Sequence, residues 1–397
     1  MISHIAAARS EQIAAKVLCT MAQSIDGTGL DVKFGPDADV DPDWVRIIKV
    51  AEHAKLLPLF IEGMRICQPE TFNADDLANA RDYLRLHRTR TAEVVDRYAQ
   101  LVNHLQLAGI EPICFKGPFL SQLAYGSPAL REFNDLDLII RQGEITHALE
   151  VLEEMGFRIT DAAPTWVSMA SITEDRELWL DLHLKLMPTH LPDINDMEGL
   201  WSRGEEVELY GRKFFTLSMK DTVLVTAMHI VKEYHHQAPF LGYVLDLAML
   251  LRKESGMARS DFTAHGEANG ASAYTRLAFQ LIDLLFDDGD GVQSVENCNN
   301  RGVQELGDDM LEKLGSTALT GAYGIKSYGR RPLKVRYTLS TSPRDWLIRE
   351  LQSARARLFY VTPEDERWCP LPKRLYWLYF IIRPIRQLLV QSGALAV

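Results

Sequence analysis

The chain has 397 residues, 47% hydrophobic and 24% charged, the composition of one or two folded domains and not of a disordered chain. Its formal net charge of −11 excludes a general electrostatic footprint for nucleic acid. Five scattered cysteines with no C-x-x-C pair argue against a disulfide framework and a cysteine zinc site, and no apolar run reaches the roughly 18 residues of a membrane span. The opening "MISHIAAARSEQIAAKVLCT" is amphipathic and lacks the basic-then-apolar order of a signal peptide, so these features predict a cytoplasmic protein.

The predicted elements fall into three stretches. Residues 1–110 form an N-terminal helical segment: "DWVRIIKVAEHAKLLPLFIEGMRI" spaces its apolar residues three and four apart. The stretch from Asn73 is one long amphipathic helix that stops at Gly109. Residues 111–217 change texture. "EPICF" reads as a strand, "GPFLSQLAYG" as a helix closed by Gly126, "NDLDLII" as a strand and "GEITHALEVLEEMGF" as a helix closed by Gly156. "RIT", "TWVSMASI" and "LWLDLHLKL" then read as further strands, which makes this block a small mixed sheet with helices. Residues 218–397 return to helix. The expected fold is therefore α+β, a mixed-sheet core flanked by N- and C-terminal helical segments.

The middle block carries the chemistry. Side chains two apart on a strand share a face, so Asp135 and Asp137 point the same way with Cα atoms roughly 6.5–7 Å apart, while Leu136, Leu138 and Ile140 turn into the core. Two converging carboxylates repel unless a proton or cation lies between them, and a hard divalent ion such as Mg²⁺ or Mn²⁺ suits oxygen ligands. "LWLDLHLKL" places Trp179, Asp181, His183 and Lys185 on one face, so Asp181 can join the pair if the two strands are neighbours. Upstream, "CFKGPFL" puts Lys116 and Gly117 at a strand-to-helix turn, where backbone N–H groups and the helix N-terminus suit phosphate. Arg131 adds charge nearby.

The segment "FKGPFLSQLAYGSPALREFNDLDLIIRQGEITHALEVLEEMGFR" resembles the nucleotidyltransferase superfamily with the DNA polymerase β-type fold. Its order of glycine turn, D-x-D and later acidic strand is similar to the aminoglycoside nucleotidyltransferases and to a broad family of poorly characterised bacterial nucleotidyltransferases. The resemblance implies metal-binding, catalytic roles for Asp135, Asp137 and Asp181, and contacts to an NTP, with ATP as the expected donor, near Lys116, Gly117, Arg131 and His183. The superfamily's turn reads Gly-Ser or Gly-Gly; here Lys116-Gly117-Pro118 offers no hydroxyl, and a lysine charge stands in its place. The implied reaction moves a nucleoside monophosphate to a hydroxyl or phosphate acceptor on a small molecule, peptide or protein. A catalytically inactive scaffold retaining the fold, and a toxin-like transferase acting on tRNA or protein, are the competing readings.

The remaining motifs read more plainly. His229 and Asp246, each on an apolar helix, fit a structural pair better than a catalytic base. Tyr234-His235-His236 reads as a solvated helix end, because adjacent helical residues diverge. "FDDGDG" lacks an EF-hand register and reads as a loop, and the basic run from Lys326 to Arg336 as a solvated surface in preference to an acceptor patch. "RLYWLYFIIRPIRQLL", broken by Pro384, reads as a packing helix that allows at most peripheral membrane contact.

Overall fold

The computed structural model describes residues 44–67, 74–163, 165–173, 176–236, 240–254, 256–286, 330–340, 342–359 and 368–391, together with 17–18, 238, 305–307 and 309–310. The N-terminal leader, most of "FDDGDG" and Lys326 lie outside them. The expected first helix is two: α1 (Trp44–His53) and α2 (Leu57–Cys67). Between them Lys55 takes a left-handed φ of 59°, and Leu56 N–H returns to the Ala51 carbonyl at 2.8 Å. The long helix α3 (Ala74–Leu107) follows as expected.

The core then runs β1 (Ile113–Phe115), α4 (Gly117–Tyr125), β2 (Asp135–Ile139), α5 (Ile145–Glu154), β3 (Arg158–Ala163), β4 (Trp166–Thr173) and β5 (Arg176–His183). A short helix α6 (Gly199–Arg203) leads to a hairpin, β6 (Glu205–Leu209) and β7 (Arg212–Thr216), that the sequence pattern did not reveal. Helices α7 (Met219–His236), α8 (Leu241–Lys253), α9 (Arg259–Ala268), α10 (Ser272–Phe286), α11 (Arg330–Leu339), α12 (Pro343–Phe359) and α13 (Tyr379–Gln391) complete the described chain. No helix among the described residues is long and apolar enough to cross a membrane.

Seven strands form one mixed sheet in the order β3-β4-β5-β2-β1-β7-β6. The sheet separates two apolar cores, and strand alternation assigns each residue to one of them. Leu136, Leu138, Ile140, Leu180 and Leu182 pack on one face with Val95, Tyr98 and Leu101 of α3 and with Ala148 and Leu152 of α5. Ile113, Phe115 and Ile139 face the other way, into a larger core built by α1, α2, α7, α8 and α10. Helices from both ends of the chain thus share one core, on the face of the sheet that carries Asp135 and Asp137.

Candidate active site

The sheet register does the assembling. β2 and β5 run parallel with Asp137 opposite Asp181, Asp135 opposite Trp179 and Ile139 opposite His183. β1 runs antiparallel on the other side with Phe115 opposite Asp137, so the chain leaves β1 at Lys116 beside that carboxylate. Lys116 Nζ lies 2.7 Å from Asp137 Oδ1, and His183 Nε2 lies 2.7 Å from the same oxygen. On the far side of β5, Ser168 of β4 stands opposite Asp181 and donates its hydroxyl to Asp181 Oδ1. From α3, Tyr98 donates to the backbone carbonyl of Asp137 at 2.8 Å, which pins the strand beneath the site.

The electrostatics are uneven. Burial pushes the Asp137 carboxyl up, but the Lys116 ammonium and the His183 hydrogen bond outweigh it and hold it far below the usual carboxylate range. Burial and the charge of Asp137 raise Asp135, with Lys116 and Lys55 opposing. Burial pushes Asp181 up to about 6; the Ser168 hydrogen bond opposes this, and Asp137 and Asp135 add to it. Burial and the nearby Lys116 charge bring His183 down to about 4, so at neutral pH it is uncharged and carries its proton on Nε2 to donate to Asp137. Asp137 is therefore compensated, while Lys116, Lys55 and Ser168 only partly offset the burial and repulsion at Asp135 and Asp181.

That donor set fits a hard divalent cation. Asp137 and Asp181 present carboxylate oxygens within 4.8 Å of one another, and His183, which completes the group, holds Asp137 in place. Asp135 lies outside that group, two residues along β2 on the same face.

The turn after β1 is strained. Lys116 has φ 56° and Gly117 φ 39°, two successive residues in left-handed backbone. For Lys116 this costs about 1–3 kcal/mol. A Cβ on Gly117 would meet Phe133 at 3.5 Å, an ordinary contact, so the dihedral and not the space calls for glycine. Pro118 sits in the first turn of α4, and no side chain caps the helix, which leaves its leading N–H groups for an anion.

Arg131 takes a different place. It is 4% exposed, and its Nε donates to Asp246 Oδ2 at 2.8 Å while its guanidinium lies 4.8 Å from the Tyr243 ring centroid. Asp246 also accepts from Tyr125 at 2.7 Å. The expected His229–Asp246 pair does not form; His229 Nδ1 instead bonds the Val225 carbonyl at 2.8 Å, because Arg131 already satisfies the buried acid. Three residues join the site without having been singled out for it. Ser168 gave no signal in its strand. Lys55 reaches Asp135 electrostatically from the α1–α2 corner. Lys232, three residues after His229 on α7, is half-buried within the field of Lys116, Asp137 and Asp181.

A family model described as an uncharacterised nucleotidyltransferase matches residues 41–287, and the chain belongs to that family. Among solved structures, that of the antibiotic-resistance factor ANT(2'')-Ia aligns at 14% identity and a TM-score of 0.32, covering 45% of this chain and 95% of that one. No curated protein matches the chain.

Proposed function

We propose that this nucleotidyltransferase-family protein moves a nucleoside monophosphate from an NTP, with ATP as the expected donor, to a hydroxyl or phosphate acceptor on a small molecule, peptide or protein. The observation that carries the reading is the parallel register of Asp137 and Asp181 beside the Lys116–Gly117 turn. Carboxylates and the proposed phosphate cradle meet at one end of the central strands β5, β2 and β1, as attack on a triphosphate requires. Asp137 and Asp181, with Asp135 on the same face, would hold Mg²⁺ or Mn²⁺, which when bound neutralises triphosphate charge and makes the acceptor hydroxyl more acidic.

The protein's own groups do the rest. The N-terminus of α4 supplies N–H donors and a partial positive charge to the phosphates. Lys116 and Lys232 supply formal charge, and Lys116 exchanges Asp137 for phosphate as substrate enters. Asp181 has the raised basicity to accept the acceptor's proton. His183 keeps Asp137 oriented.

Incubation of α-labelled NTPs and Mg²⁺ with separate metabolite, peptide, protein and tRNA fractions of a cell extract tests the reading. The expected result is label on one acceptor class with matching pyrophosphate release, both lost in Asp137→Ala. NTP binding without transfer in any fraction would favour the scaffold reading, and label on tRNA the toxin-like one.

A further inference from the structure

Away from the carboxylates, the strand and the helix that frame them both lead to histidine. The chain leaves β5 at His183 and turns back, with Leu191 N–H on the Pro188 carbonyl at 2.9 Å, so that His190 meets the last turn of α7. That turn ends in His235 and His236. Consecutive helical residues diverge, which is why the sequence alone reads a solvated end. In the structure a third ring reaches both. The His190 ring centroid lies 4.8 Å from that of His235 and 5.9 Å from that of His236, and the latter two are 5.3 Å apart. One ring nitrogen from each comes within 4.8 Å of the others.

Three converging imidazoles are a costly arrangement if protonated and a ligand set if neutral. His190 and His235 are half-buried and His236 is exposed at the rim. An all-nitrogen set selects a borderline transition metal over Mg²⁺, which prefers oxygen. Zn–N bonds of ~2.0–2.1 Å in a tetrahedral site put ligand nitrogens roughly 3.3 Å apart, so closure needs a movement of at most about 1.5 Å, within the reach of side-chain rotation.

We propose that His190, His235 and His236 form a transition-metal site for Zn²⁺, separate from the carboxylate centre. Three protein ligands leave one tetrahedral position for water or a substrate group. Bound metal ties the loop after β5, the strand of Asp181 and His183, to the end of α7, the helix of Lys232.

The test uses the untagged full-length chain, stripped with chelator and titrated with Co²⁺. The expected result is a visible absorption band of tetrahedral Co²⁺ saturating at one equivalent and abolished by Zn²⁺. His190→Asn and His236→Asn weaken binding by at least about 100-fold, and Asp137→Asn keeps the band. His236 is at the rim, so its variant keeps the native circular dichroism spectrum and loss of metal there is not loss of fold. No band, an unchanged affinity in His236→Asn, or loss of the band in Asp137→Asn would each overturn the proposal.

Discussion

One group of buried charge sits at each end of α4, and the two are built on opposite terms. At the C-terminal end, Asp246 is met by Arg131 at 2.8 Å and by Tyr125 at 2.7 Å, with the guanidinium over Tyr243. One acid faces one permanent cation, and each carboxylate oxygen has a donor. At the N-terminal end, Asp135, Asp137 and Asp181 face one strongly coupled cation, Lys116, and an uncharged His183. The first cluster is closed, with its acid paired. The second retains uncompensated negative charge beside a strained turn, a state that makes physical sense where a cation and a phosphate arrive together.

The comparison can be broken by removing one member of either cluster. The largest effect on stability is expected in the closed one: Arg131→Leu strands Asp246 in the core, and urea unfolding should show a loss of about 3–5 kcal/mol. An unchanged midpoint would mean that the pair is not structural. In the open cluster, Lys116→Met also strips a buried acid, Asp137, of its cation, so stability should fall there too. The substitution removes a phosphate ligand and the clamp on Asp137, so NTP affinity by calorimetry should fall by roughly 10–100-fold. Tighter NTP binding would instead make Lys116 a plug. Ser168→Ala acts one step further out, by freeing Asp181 to reorient. A several-fold rise in the Mn²⁺ dissociation constant, read by electron paramagnetic resonance, should follow; no change would remove Ser168 from the site.

The last effect concerns a half-buried acid outside both clusters. Burial pushes Asp193 up to about 6 in the folded chain, against ~3.9 unfolded. The folded state therefore binds the extra proton, so this group's contribution to stability is highest below about pH 4, falls as pH rises toward 6, and is flat above. Asp193→Asn should raise the urea midpoint at pH 8 and flatten that slope. A lower midpoint at pH 8 would contradict the assignment.

How much of this was legible in the sequence follows the same division. The open cluster was, because period-two alternation around "DLDL" and "WLDLHL" announces which face each residue takes, and because polar groups in apolar strands stand out. The glycine turn was legible through Gly117 and Pro118. The closed cluster was not. Arg131 stands four residues before Asp135 in the chain, and nothing local says that its partner is Asp246, 115 positions away on α8. The β6–β7 hairpin escaped for a related reason: its outward residues are charged, "GEEVELYGRKFF", and only its pairing with β1 gives it a buried side. Likewise His235 and His236 were visible, but the loop that delivers His190 to them was not.

The most direct test of the central claim is Asp135→Asn, measured two ways on one preparation. Asp135 is raised by burial and by Asp137, so the substitution relieves repulsion. If the open cluster exists to receive a cation, the variant unfolds at the same or a higher urea concentration while Mg²⁺-dependent NTP binding is lost by calorimetry. A variant that binds NTP and Mg²⁺ as the wild type does, or one that loses stability along with binding, would contradict the account.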